Sequence, residues 1–420
     1  MAARITRLLL LMLIMSLVLT PCSHAKLTFI VNDNTSDQEG WRALAEGYRK
    51  QTGVDVEVIA MRWADYPDKL ATMLAGGVIP DVAFYSLRFV ISLAAVGVFE
   101  DLTALRKHLP EMDDVFPAAF DEVTLGNYMY GIPTDVNVSW MEFNADLFDQ
   151  AGLTYPTKLW QQNQWNWDTF LMSVKRLTRD IDGDGRIDQA GMSVTGTWPG
   201  DWPGWYWSNG ATILDAQMRS STMNSPQAVE TLQFLADLIN AHGVTTRGTS
   251  ATKNNGQVGI WVSALNVVQQ NRNIYPFNWG IVGFPIGPSG VTSASTIFGG
   301  GYVVFKDAPN KEEAYKFVEY LVSSESERMR ARLASRAPAK RRGLQVFLEE
   351  IRTTPGPVPI NLMGAPELVA LSRPLPVTPV WDEMEKMFWE EVNPVLNARQ
   401  SARAALESFT QRVNPLLASW

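Results

Sequence analysis

Cysteine, histidine and charge are all scarce in this chain. Of its 420 residues one is cysteine and three are histidine, and charged residues make up only 19%. The single thiol, Cys22, lies in a leader-like N-terminus, so a mature chain beginning at Lys26 contains none, which excludes a disulfide framework and thiol catalysis. His24 falls in the same leader, His108 and His242 read as helix-end or loop residues, and no Gly-x-Ser-x-Gly elbow exists to support a hydrolase triad. A dinucleotide fingerprint and a Walker loop are both missing, as are internal repeats and low-complexity linkers. Past the leader no apolar run approaches the roughly 20 residues that a spanning helix needs.

What is present begins with that leader. Arg4 and Arg7 precede an apolar run from Leu8 to Leu19, followed by Pro21 and the small-residue end Ser23-His24-Ala25, the order of a secretory signal peptide over residues 1–25. Ser23 and Ala25 suit ordinary cleavage after Ala25; lipidation at Cys22 is the alternative, opposed by Pro21 beside it. The expectation is export to the periplasm as a monomer. The formal net charge is −8, and losing Arg4 and Arg7 makes it more negative, so nucleic acid is not an expected partner. The densest basic stretch, Arg328 to Arg342, reads as a solvated face. Length exceeds the usual ceiling for one core, and 46% apolar residues supply enough material for two.

Periodicity predicts a strand over 27–33, a helix over 37–51, a strand over 54–61, a helix over 64–75 and a strand over 81–86. This β-α-β-α-β order argues a parallel sheet with helices on its faces, with ligands off the carboxyl ends of the strands at 33–36, 62–66 and 85–86. Residues 126–144 read as a pair of strands turning around Gly131-Ile132-Pro133. Further predictions are a helix over 225–241, a strand over 298–305 entered through glycines, a helix over 311–323 and a helical C-terminus.

Several segments, in this order, resemble the extracellular solute-binding proteins of family 1, the sugar receptors of ABC importers. They are TGVDVEVIAMRWADYPDKLATMLAGGVIPDV from Thr52, YGIPTDVNVSWMEFNADLFDQAGL from Tyr130, WNWDTF from Trp165, NNGQVGIWVSAL from Asn254, WGIVGFPIGPSG from Trp279, and GGGYVVFKDAPNKEEAYKFVEYLVSSE from Gly299. The resemblance implies an α/β fold of the type II periplasmic-binding-protein kind, with two lobes, a multi-strand hinge and an interlobe cleft. It places residues 26–134 and 298–340 in the first lobe and 139–290 and 355–420 in the second, with crossings near 134–139, 284–298 and 334–359. It also implies a carbohydrate ligand, a membrane permease as partner, and no catalytic group.

Candidate ligand contacts follow from residue type and place. Four of the 15 tryptophans crowd into WPGDWPGWYW at 198–207. Its prolines and glycines argue against a helix, so Trp202, Trp205 and Trp207 are expected to project from a loop as a platform for the apolar faces of pyranose rings, unless the loop folds over its own rings. Trp63 and Asp65 follow the second strand, and Tyr85 and Ser86 end the third; Ser36 follows the first. A carboxylate beside an aromatic ring suits sugar recognition, the ring giving area and the acid accepting hydroxyl hydrogens. Trp261 is a candidate for the opposite wall, and Asp135, at the hinge, either touches ligand or bonds protein. Gly300 and Gly301, in a run of three glycines, let backbone approach a ligand or simply begin a strand.

No cofactor is required, but Asp180, Asp182, Asp184, Arg186 and Asp188 match the first nine places of an EF-hand loop, with Gly185 at the turn position and Gly191 where the bidentate acid should be. The expectation is a weak structural calcium site or a bare turn. Two other functions compete with a sugar receptor. A glycoside hydrolase needs a carboxylate pair about 5–10 Å apart in a fixed motif, and none stands out. An aromatic cage for a quaternary ammonium solute needs rings on three sides, and a phosphorylated ligand needs cations such as Arg62 or Arg88.

Overall fold

The computed structural model describes residues 26–420 except 33–34, 63–64, 110, 194–199 and 335. The leader expected over 1–25 lies outside the described residues.

The first half of the chain follows the predicted alternation closely. Strand β1 (Leu27–Asn32) leads to helix α1 (Thr35–Thr52), β2 (Val56–Met61), α2 (Tyr66–Ala75) and β3 (Val82–Ser86). β1 runs parallel to both β2 and β3, with Leu27 beside Val56 and Phe29 beside Val82. The apolar run of β3 is buried at every position, as a strand covered on both faces must be. A short turn leads from β3 into α3 (Val90–Ala95).

The next region departs from expectation. The turn falls at Gly126, whose φ of 62° favours glycine, and joins two-residue strands β4 (Thr124–Leu125) and β5 (Tyr128–Met129). Gly131-Ile132-Pro133 is not a turn: β6 (Ile132–Asn144) is one strand of 13 residues, buried throughout. Pro133 is tolerated because it sits next to a ladder irregularity, where its partner strand at residues 295–304 shifts register between Gly300 and Gly301.

The second lobe is built from helix α4 (Trp167–Leu177), strand β7 (Ala190–Met192), helices α5 (Pro203–Ser208) and α6 (Pro226–Asn240), and strands β8 (Val258–Ala264) and β9 (Trp279–Val282). Strand β10 (Ser295–Val304) then returns toward the first lobe, followed by helix α7 (Lys311–Leu321), strand β11 (Ser372–Pro374) and helices α8 (Trp381–Leu396) and α9 (Ala402–Ala418).

One sheet path, β2-β1-β3-β10-β6-β8-β7, threads both lobes, with β11 beside β10 and β9 beside β6. β6 is the pivot. Its residues 132–138 pair antiparallel with β10, and its residues 139–144 with β8 and β9. β11 adds a third strand at this junction, parallel to residues 295–297 of β10. Residues 337–340 lie against the first lobe, where Ala339 N–H donates to Thr134 O, whereas Ile360 is held on β9 by an N–H to Trp279 O. Two apolar clusters result: one around β1, β3 and α7, the other around α4, α5, α6, α8 and α9. Ile91 of α3 belongs to the second cluster although its helix follows a first-lobe strand, so the lobes touch through it.

Candidate functional site

The carboxyl ends of β1, β2 and β3 point toward the junction strand β6, and those of β7, β8 and β9 point toward it from the other side. Ligands sit where strands end in this way, so the crevice between the lobes is the place to look.

From the first lobe, β3 delivers Tyr85, Ser86 and, one residue beyond Leu87, Arg88. From the second, the first two turns of α8 deliver Trp381, Asp382 and Glu385, and α5 with its preceding residue delivers Trp202 and Tyr206. The two sets meet: Arg88 Nη1 lies 3.9 Å from Glu385 Oε2, and its guanidinium also covers the Phe89 ring at 4.2 Å. Among the described residues, buried polar atoms without a hydrogen-bonding partner occur in several parts of the molecule, and those on these segments are Trp202 Nε1, Tyr206 OH, Thr378 Oγ1, Trp381 Nε1 and Glu385 Oε1. Buried polar groups are ordinarily satisfied, so donors and acceptors left over at one place mark where a polar molecule completes the network.

Electrostatics agree. Burial pushes the Glu385 carboxyl above the usual carboxylate range, against the pull of Arg88. Asp382 is exposed, yet the protein around it raises its carboxyl too, again opposed by Arg88. The Tyr85 phenol is raised by burial and then by the charge of Asp382. These acids would gain from any donor brought close to them.

Of the residues singled out from sequence, Tyr85, Ser86 and Trp202 belong to this region. Trp202 stacks on Phe388 with centroids 4.5 Å apart, over a void of about 10 Å³, too small for more than one water. Trp63 lies outside the described residues, and Ser36 falls within α1, its side chain among those not described. Asp65 is taken up locally: it starts α2 and accepts from Arg62 Nε and Nη2 at 2.9 and 2.7 Å, which lowers its pKa.

Several readings need correction. The segment expected to be a projecting loop contains helix α5, whose first residue is Pro203, the position where a missing N–H costs nothing. All six of its residues are buried, Trp205 edge-on to Phe170 and Phe284 at 5.2 and 5.7 Å, and Trp207 is buried beside it. Trp261 lines no wall; its indole donates to Glu142 Oε2 at 2.8 Å, and that buried acid also accepts from Asn271 and Tyr275, both at 3.1 Å. Gly300 and Gly301 do not begin a strand: they lie inside β10 between β3 and β6. A Cβ on Gly300 would stand 2.1 Å from the Phe84 ring, and one on Gly301 2.4 Å from Ile132 O, so the glycines admit neighbours, not ligand. Asp135 is bonded by protein, accepting from Arg336 Nη1 at 2.9 Å with Arg330 Nη1 at 3.9 Å.

Residues 32–328 match the family described as bacterial extracellular solute-binding protein, which is well over half of the chain. The chain belongs to that family. A relative of this solute-binding protein in Deinococcus radiodurans, named a "probable ABC transporter-binding protein", is 26% identical over 70% of this chain and 71% of its own length. Among solved structures, an ABC substrate-binding protein of Listeria monocytogenes in complex with cycloalternan superposes with a TM-score of 0.79 at 23% identity, covering 93% of this chain and 98% of that one. The cyclic alpha-maltosyl-1,6-maltose binding protein of Arthrobacter globiformis gives 0.77 at 20% identity, covering 94% and 100%. The architecture is therefore that of two-lobed periplasmic binding proteins.

In this solute-binding protein the acidic loop at 180–188 follows α4 and is largely exposed. Carboxylate oxygens of Asp180, Asp182 and Asp188 lie within 4.8 Å of one another. Asp184 instead accepts from Arg186 N–H at 2.8 Å, while Asp180 accepts from Gly183 and Gly185 N–H at 2.7 and 2.9 Å. The cleft residues missed from sequence are Trp381, Asp382 and Glu385. Their signal was legible: an aromatic with acids one and four places on shares one face of a helix.

Proposed function

We propose that the mature protein is a periplasmic receptor that captures a mono- or oligosaccharide between its lobes and hands it to the permease of an ABC importer. The observation that carries this reading is the meeting of Tyr85 and Arg88 with Asp382, Glu385 and the buried Trp202 indole, where an aromatic ring, acids and polar atoms without partners lie together between the lobes. Sugars present just this mixture, apolar ring faces and hydroxyls that both donate and accept. The ligands named for similar structures, cycloalternan and the cyclic maltosyl-maltose, support it. The family and its relatives are binding proteins, and the crevice needs no catalytic group to do this work. A quaternary ammonium cage fits less well, because the acids and Arg88 make the site polar on more than one side. A phosphorylated solute would meet two acids and a single arginine.

The test is tryptophan fluorescence and thermal unfolding of residues 26–420 against mono- and oligosaccharides, with betaine and glycerol phosphate alongside. A saturable shift with a saccharide recovered intact is the expected result. Response only to betaine or glycerol phosphate rejects the carbohydrate assignment, and consumption of the sugar points to hydrolysis.

Affinity should also depend on pH. In the free protein burial holds Glu385 and Asp382 above the ordinary carboxylate range, so their contribution to stability is present at low pH and lost as pH rises through the raised native values. Hydroxyl donors favour the charged forms, so binding releases protons. Affinity should then rise with pH across that interval, by up to about tenfold per unit for each proton released. A flat profile in fluorescence titrations would place both acids outside the site.

We propose further that the 180–188 loop holds a structural calcium ion, bound by Asp180, Asp182 and Asp188 with the Arg186 carbonyl. Extracellular modules of this type bind at about 10⁻⁴–10⁻³ M, so 10 mM calcium should add roughly 1–3 kcal/mol of stability. Differential scanning calorimetry checks this: the unfolding temperature should rise by a few degrees in wild type and not in Asp180→Asn. An equal rise in both rejects the site.

A further inference from the structure

Between the lobes the described residues show a cross-cleft ion pair, Arg88 Nη1 to Glu385 Oε2 at 3.9 Å. Its members come from segments that closure must bring together: Arg88 from the turn after β3, Glu385 from the second turn of α8. Both are largely shielded, with side-chain exposures of 26% and 14%, so solvent screens the pair less than a surface one. The distance is at the loose end of ion pairing, and the second carboxyl oxygen, Oε1, is buried and makes no hydrogen bond within ordinary geometry, although the Trp202 indole is near enough to lower the carboxyl's pKa. Ile91, one turn beyond Arg88, already packs in the second-lobe cluster and fixes the approach of this segment.

We propose that Arg88 and Glu385 form a closure latch in which one carboxylate does two tasks, Oε2 holding the first lobe through Arg88 and Oε1 receiving a donor from the ligand. This rests on the capture reading above and adds to it a coupling. Closure without ligand leaves Oε1 desolvated and unpaired, which is costly, and closure with a ligand donor does not. Asp382, three residues before Glu385 on the same helix, adds its charge to the pull on Arg88 when the lobes are together. Tyr85 and the Trp202 indole are the other polar groups set against the pair.

The mature chain has no cysteine, so Val78→Cys in the first lobe and Val291→Cys in the second, at positions 57% and 94% exposed, can carry a dye pair for single-molecule energy transfer. Maltotriose is the probe, and every variant is measured with and without it. Arg88→Gln and Glu385→Gln should each cut the closed fraction roughly fivefold, and the double variant should fall no further than either single one. Exchanging the charges, Arg88→Glu with Glu385→Arg, should restore ligand-free closure but not maltotriose affinity, because the free acceptor has moved. Additive losses, or a closed fraction indifferent to both substitutions, overturn the latch. If maltotriose and other saccharides change nothing while ligand-free closure still follows the pair, the carbohydrate reading fails and, of the latch, only its ion-pair half stands.

Discussion

Replacing Asp135 by alanine should destabilise the protein by about 3 kcal/mol, read as a lower urea midpoint at pH 7 with unchanged slope. Asp135 is 6% exposed and sits where β6 passes from one lobe to the other. Arg336 Nη1 donates to it at 2.9 Å. Arg330, 2% exposed, has its Nη1 at 3.9 Å from the same carboxyl, while donating at 2.6 Å to both Thr134 Oγ1 and Thr134 O. Removing the acid strands a buried guanidinium, and stranding one partner costs far more than losing an exposed pair. Glu327 also lies near Arg330 and offsets part of that cost, which keeps the estimate at the low end of the range for buried pairs. Removing Asp135 together with Arg336 should then cost less than the two losses summed. A loss below about 1 kcal/mol for Asp135→Ala would mean that the arginines are held by Thr134 alone. Sugar binding should weaken only as far as the hinge loosens, because among the described residues the cations paired with Asp135 are Arg330 and Arg336, not the crevice arginine Arg88.

The first lobe was legible because its local signals agree with one another. Strands of six and five residues alternate with helices ended by glycine or followed by turns, and observed bounds differ from predicted ones by one or two residues through β3. The hinge was less legible. Gly131-Ile132-Pro133 carries turn chemistry, but the turn had already been made at Gly126, and tertiary pairing with β10 and β8 draws residues 132–144 into one strand. Nothing local in the sequence announces a strand that serves two lobes. The glycine run at 299–301 misled for a related reason: its meaning lies in Phe84 and Ile132, neighbours distant in sequence that need the space.

For the site, sequence order located the carboxyl ends of β1 to β3, and with them Tyr85 and Ser86, since strand ends follow from strand assignment. Composition alone could not separate the tryptophans. Trp202, Trp205 and Trp207 come within six residues, yet Trp202 has its indole edge beside Glu385 while Trp205 sits among Phe170, Phe234 and Phe284. A six-residue helix starting at Pro203 sends neighbouring rings to different faces, and it was the expectation of a loop that made them look equivalent.

That division gives the second large effect. Trp205→Ala should cost about 3–5 kcal/mol, since the ring is fully buried and its removal leaves a cavity in a close-packed aromatic cluster. Its Nε1 has no hydrogen-bond partner, so the loss is one of volume and contact alone. Trp205→Phe, which keeps a ring and forfeits no hydrogen bond, should therefore cost only about 1–2 kcal/mol. Urea unfolding followed by circular dichroism checks both, and an early transition split from the rest would show the second lobe melting first. Trp202 supplies the contrast. Its ring is packed on Phe388 but its N–H edge faces Glu385, so Trp202→Phe should lose saccharide affinity at little further cost in stability. Were Trp205 the ligand platform that its place in the sequence suggested, Trp205→Phe would weaken binding and leave the urea midpoint where it is.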